Sequence, residues 1–265
     1  MTQASLAELA RPPSQLPSAP QLLAVASGKG GVGKTWLSIT LSHALARSGR
    51  RVLLFDGDLG LANVDVQLGL TAERDISGVL SGAYSLADAA VDYPEGGFQI
   101  VAGRSGTGSL AAVPSERLRG LASQLLRIAP SYDRVLLDLG AGIERTVRQI
   151  AGLAGTCLVV TNDEPTALTD AYAFIKLAVL NNRAADVRVV VNLAGSRGEG
   201  ERTFNILRKA CETFLKVSPP LAGVIRRDPK VKEAIRAQTP LLLRHPNTAA
   251  ASDVEALAAG LTRTG

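Results

Sequence analysis

A chain of 265 residues has room for one large α/β domain and not for two of ordinary size. Apolar residues make up 46% and aromatics only 4%, a balance that suits parallel strands covered by helices on both faces. No apolar run reaches membrane-spanning length and the N-terminus lacks the basic-then-apolar order of a signal peptide, so the cytoplasm is the expected compartment. Cys157 and Cys211 fall inside apolar periodic segments, which predicts buried thiols and not a metal or redox pair.

Residues 1–20 stand apart from the rest of the chain. A short helix is predicted over 2–10, with Leu6 and Leu9 three apart, and the prolines from Pro12 to Pro20 make the remainder of this stretch an extended linker. One domain is expected over 21–265. In it, apolar runs of strand length at 22–26, 52–55, 99–101, 134–138, 156–161, 187–192 and 221–225 alternate with helical patterns. The helices are predicted at 35–48, 115–128, 144–153, 167–181, 200–216, 230–237 and 250–261. Such alternation implies right-handed crossovers and a single doubly wound domain, a mostly parallel sheet with helices on both faces. Ligands of such sheets sit where the carboxyl ends of the strands emerge.

The string Gly28-Lys29-Gly30-Gly31-Val32-Gly33-Lys34-Thr35 follows the first strand and opens the first helix, with the spacing of a phosphate-binding loop. Glycines let backbone N–H groups wrap phosphate oxygens, and the helix N-terminus adds partial positive charge. Lys34 is placed to reach the β- and γ-phosphates of a nucleotide and the Thr35 hydroxyl to ligate Mg²⁺. Lys29 is not needed for that spacing. It is either a solvated loop lysine or a second charge that serves a nucleotide in another subunit.

Asp56 and Asp58, two apart at a strand's carboxyl end, can meet a hydrated metal ion and an attacking water at once; capping of a following helix is the competing reading. Asp65 reads as a cap or fold contact. The apolar strand ending on Asp138 delivers a carboxylate to the same metal, and Gly140 and Gly142 leave the next loop free to move. Asn192 ends a strand with an amide that can donate to and accept from a base edge, or serve as a turn or cap. Between residues 195 and 245 eleven Lys or Arg face five Asp or Glu, either a solvated helical face or a surface for nucleic acid, anionic membrane or an acidic partner.

The loop from Lys29 to Thr35 resembles the deviant Walker A loop of the MinD/ParA family of dimerising ATPases, and the likeness extends over most of 21–261. The resemblance implies a P-loop NTPase fold, ATP and Mg²⁺ as cofactors, and slow, partner-stimulated hydrolysis to ADP and phosphate. It implies that Lys29 crosses a homodimer interface to the partner's phosphates. Asp56 then lies near the hydrated metal, Asp58 orients the attacking water, Asp138 holds the metal's water shell, and Asn192 contacts adenine. The position of Trp36 implies proximity to the α-phosphate, although the family has a small or polar residue there. A proline is usual where Arg226 stands, which puts any carry-over to Arg226 in doubt.

Two longer strings, from Asp58 to Asp65 and from Asp163 to Lys176, are similar to the FlhG/FleN branch, whose members set flagellar number and placement. That branch implies a signal-recognition-type GTPase (FlhF-like) as partner, with flagellar basal-body or transcription-factor proteins, and recruitment to the cell pole through them. Thr2-Gln3-Ala4 echoes the branch's N-terminal activating helix, which would give Gln3 to the GTPase. The basic amphipathic membrane helix usual in the family is not echoed: 250–261 carries Asp253 and Glu255, so stable membrane anchoring is not expected. A partition ATPase of the ParA type, holding non-specific DNA on the basic region, is the alternative. A module that binds ATP without turning it over is a third.

Overall fold

The computed structural model describes residues 18–58, 62–103 and 113–262. The predicted N-terminal helix, Gln3, most of the linker and the switch residues 59–61 lie outside them. Eight strands form one sheet: β1 (Ala19–Ser27), β2 (Val52–Gly57), β3 (Val91–Tyr93), β4 (Phe98–Val101), β5 (Arg134–Ala141), β6 (Ala154–Thr161), β7 (Val187–Ala194) and β8 (Leu221–Arg226). Their order is β3-β4-β2-β5-β1-β6-β7-β8. All neighbours are parallel except β3, which runs antiparallel on the edge beside β4.

Alternate residues of the central strands feed two separate cores, as the two-residue period of a strand requires. Leu22, Ala24, Leu53, Phe55, Val135, Leu137 and Val159 enter one core; Leu23, Val25, Leu54, Leu136, Leu158 and Val160 enter the other. Because both faces are covered, the strands read as continuous apolar runs. The first core is closed by α3 (Ile76–Ser81), α4 (Ser115–Ile128), α5 (Arg145–Ala151), α6 (Pro165–Asn181) and α7 (Arg197–Ala210). The second is closed by α1 (Lys34–Arg47), α2 (Val64–Leu68), α8 (Pro229–Arg236), α9 (Leu241–Arg244) and α10 (Ala249–Thr262).

The doubly wound, mostly parallel fold read from the sequence is the one observed, with differences at particular places. β1 opens at Ala19, three residues ahead of the predicted strand start, where the Ala19 N–H donates to the Leu153 carbonyl. Pro20 is tolerated because the pairing with β6 shifts register between Ala19 and Leu23. Pro165 occupies the first turn of α6 and Ser196 caps α7 by accepting from the Glu199 N–H, so both helices start earlier than predicted. The long helix predicted to 216 ends as a π-helical turn over Cys211–Leu215. β3, α2, α3 and α9 have three to six residues each, too few to show a hydrophobic period. Cys157 and Cys211 are buried free thiols, as expected.

Candidate functional site

The carboxyl ends of β1, β2, β5 and β7 meet around the glycine-rich loop. Gly33 has φ 89° and forms the N-cap of α1 with no side chain capping the first turn. A residue with a β-carbon is strained at such φ, and one here would also meet the Asn192 amide nitrogen at 2.5 Å. Gly28 answers a different demand, since α6 passes so close that a β-carbon would come within 2.3 Å of the Asp170 carbonyl oxygen. The Ser27 hydroxyl donates to the Lys29 carbonyl, and the Gly142 N–H donates to the Ser27 carbonyl. Gly142, in the predicted switch after β5, is thereby joined to the entry of the loop.

Lys34 is only 8% exposed. Burial lowers its pKa, against the attraction of Asp138 and Asp58. Asp138 is fully buried on β5, directly across from Asp56 on β2, and accepts from the Thr35 and Ser38 hydroxyls, the latter at 3.0 Å. Burial raises Asp138 to about 6, opposed by those bonds and by Lys34. Asp56 rises further, to about 8, through burial first and then repulsion from Asp138. Its carboxylate also accepts the N–H groups of Asp58, Asn63 and Val64. It therefore holds the start of α2, the capping contact that competes with a metal role. Asp65 accepts from the Val66 N–H, a local fold contact.

Two buried carboxylates side by side, with one lysine near them, form an environment that favours a cation. Their oxygens and the Thr35 hydroxyl are hard donors of the kind Mg²⁺ prefers, and Mg²⁺ keeps several waters and takes phosphate oxygens as well. Among the described residues no cluster of three or more His, Cys, Asp or Glu forms a protein-only metal cage. The donor set fits an ion held jointly with a phosphate. Asp58 stands beside this pair, and a β-carbon on Gly140 would lie 3.3 Å from its Oδ1. The loops after β2 and β5 thus run close together at that point.

Lys29 takes a separate course. Its ammonium donates to the Glu164 carboxylate and, at 2.7 Å, to the Thr166 hydroxyl. The contact is on the surface, with the side chains 34% and 55% exposed. Hydrogen bonding from Lys29 holds the Glu164 carboxyl below its usual range, helped by a bond from the Asn162 amide. The structure therefore brings Lys34, Thr35, Asp56, Asp58 and Asp138 together and turns Lys29 away from them, onto the N-terminus of α6.

Trp36 and Asn192, the remaining predicted residues, are both buried. The Trp36 indole packs into the second core, which also takes Val32 of the loop, and its buried Nε1 has no hydrogen-bond partner among the described residues. Asn192 is 1% exposed, and its Nδ2 donates to the Val32 carbonyl at 2.8 Å. That bond ties β7 to the loop. Arg226 binds the buried Asp253 through its backbone N–H, Nε and Nη2, and Arg197 binds the same carboxylate. A proline at position 226 has no N–H to give, which accounts for the arginine.

Ser38, Glu164 and Thr166 are site residues that sequence reasoning passed over. Ser38 lies three residues after Thr35, on the helix face that carries Thr35 toward Asp138. Glu164 and Thr166 follow the carboxyl end of β6, where the rule for open sheets already directs attention.

The sequence pattern described as "CobQ/CobB/MinD/ParA nucleotide binding domain" matches residues 23–241. The antiactivator FleN of Pseudomonas aeruginosa is 41% identical over 238 residues, 90% of this chain and 85% of that one. The flagellum site-determining protein YlxH of Helicobacter pylori is 28% identical over 239 residues, 90% of this chain and 80% of that one. Among solved structures, the septum site-determining protein MinD of Pyrococcus horikoshii, complexed with Mg-ADP, superposes with a TM-score of 0.74 at 26% identity. It covers 90% of this chain and 94% of its own.

Proposed function

The chain belongs to the CobQ/CobB/MinD/ParA nucleotide-binding family, and from that premise we propose that it is an ATP-driven dimerisation switch of the FlhG/FleN branch, controlling flagellar number and placement. The observation that carries the reading is the division between its two loop lysines. Lys34 is buried beside Asp138 and Asp58. Lys29 is held at the surface by Glu164 and Thr166, where a second subunit can meet it.

ATP binds with Mg²⁺. The N–H groups of 30–35 wrap the phosphates, and Lys34 lies along the β- and γ-oxygens. Thr35, Asp138 and Asp56 would hold the ion and its waters, and the ion would supply neutralisation of phosphate charge. Asp58 accepts a hydrogen bond from the attacking water and aligns it with the γ-phosphorus. Its contact with Gly140 makes the second switch sensitive to whether that phosphate is present. Lys29 leaves Glu164 in the dimer to stabilise charge on the partner's phosphates. The partner through the N-terminal segment is a signal-recognition-type GTPase, and basal-body or transcription-factor proteins receive the dimer.

The partition reading rests on the basic region over 195–245. Several of its cations are already engaged: Arg197 and Arg226 with Asp253, Arg208 with Glu212, and Lys230 with Glu233. That leaves a weaker DNA surface than the sequence count suggests.

Light scattering of the purified chain with ATP and Mg²⁺ tests the proposal. Wild type shifts to a dimer, whereas Lys29→Ala stays monomeric, keeps its melting temperature and still binds ATP. A Lys29→Ala variant that dimerised and turned over like wild type would remove the switch.

A further inference from the structure

A groove of about 530 Å³ lies at the amino ends of β1, β6 and β7, on the opposite side of the sheet from the phosphate loop. One wall is α5 and the other the C-terminal half of α6. Leu177 and Ala178 supply apolar surface, Arg145 and Arg148 bring positive charge and Asp186 negative charge, and Ser18 borders it. Nothing in the proposed ATPase cycle uses it.

We propose that this groove is the docking site of the chain's own residues 1–17, with Leu16 as the anchor. Ser18, the first described residue, already lines the groove, so the preceding chain departs from its edge. Leu16 is two residues earlier and therefore within about 7 Å of Ser18 in any backbone conformation. A segment tethered at the mouth has an effective concentration on the order of millimolar, which fills even a weak apolar site ahead of free competitors.

The chemistry of the segment matches the walls. Its larger apolar side chains include Leu6, Leu9 and Leu16, and its two charged side chains, Glu8 and Arg11, have Arg145 and Arg148 on one hand and Asp186 on the other to meet. Pro12, Pro13 and Pro17 restrict the segment before it binds, which lowers the entropy lost on docking.

Both walls are connected to the nucleotide site. α5 follows directly on the switch residues 140–144, and α6 begins with Glu164 capping and Thr166 in its first turn, the two partners of Lys29. A movement of either switch shifts a wall of the groove, so the nucleotide state governs whether residues 1–17 are held or offered to a partner. That consequence rests on the switch reading; the docking itself does not.

Amide hydrogen exchange on the nucleotide-free full chain tests the docking separately from ATP chemistry. Leu16→Glu speeds exchange several-fold over 145–152 and 174–182 at an unchanged melting temperature, and Leu16→Met restores the wild-type rates. Because Leu16 precedes the folded domain, the glutamate variant does not threaten folding. Equal exchange in wild type and Leu16→Glu overturns the proposal. So does protection that rises with protein concentration, which assigns the groove to a second copy of the chain.

Discussion

The two ends of the same parallel strands are built on opposite terms. At the carboxyl end Lys34, Asp56, Asp138 and Asn192 are all at most 8% exposed, and two of the carboxylates are neighbours in register. At the amino end the ionic groups sit nearer water. Asp186 pairs with Arg188, both partly exposed, and Arg134 donates to the Leu261 carbonyl. Burying unlike charges costs free energy and burying like ones costs more. The fold places that cost at the end where strands stop and a loop can bring phosphate and a cation to offset it. At the amino end Asp186 and Arg188 satisfy each other, and Arg134 has the Leu261 carbonyl.

The sharpest way to break this contrast is at Asp58, the carboxylate that borders both switches. Asp58→Ala should lower ATP turnover by about two orders of magnitude, the usual contribution of a positioned proton acceptor, with ATP affinity changed less than about threefold. Single-turnover kinetics beside equilibrium titration separates the two quantities. If turnover survived intact, the water would be oriented by another group and the carboxyl end would be a binding site alone.

A second test concerns sign. Asp56 and Asp138 titrate at about 8 and about 6 in the fold, against the ordinary carboxylate value of 3.8 that applies to the unfolded chain. Folded pKa values raised for acids mean that the native state binds more protons than the unfolded state between about pH 4 and 8. Stability of the nucleotide-free protein therefore falls as pH rises through that window. Asp56→Asn removes the larger part of this dependence and raises the melting temperature at pH 8 by several degrees, given roughly 2–4 °C per kcal/mol for a domain of this size. Mg²⁺ with nucleotide stabilises wild type at pH 8 and stabilises the variant less. A wild-type melting temperature that climbed from pH 5 to 8 would contradict the arrangement.

How much of this could be read from residues alone depends on the range of each signal. The phosphate loop, Asp56, Asp58 and Asp138 are local: a short string or a strand's last apolar run reveals them, and the structure brings them together. The alternation of strands and helices is equally plain because the central parallel strands are buried on both faces and read as apolar runs. What stayed hidden depends on contacts distant in sequence. Lys29 meets Glu164 across 135 residues and Asn192 meets Val32 across 160; no spacing rule connects such pairs. Trp36 follows the same logic, since its place in a core formed by helices from the far end of the chain is invisible from its neighbours. β3 escaped because three residues cannot display a two-residue alternation.

The smallest effect is expected at the point where the carboxyl end opens to solvent. Glu164 is the acceptor that holds Lys29 in this structure, so in the proposed dimer it would compete with the partner's phosphates for the same ammonium. An exposed pair of this kind is weak and screened by salt. Glu164→Gln should accordingly favour the ATP-bound dimer by no more than a few-fold, with the gain shrinking as salt is added. Sedimentation at graded protein and salt concentrations measures it. A large loss of dimer in Glu164→Gln would carry the opposite lesson: the carboxylate would hold Lys29 in its working position, and the surface pair would belong to the assembled site instead of restraining it.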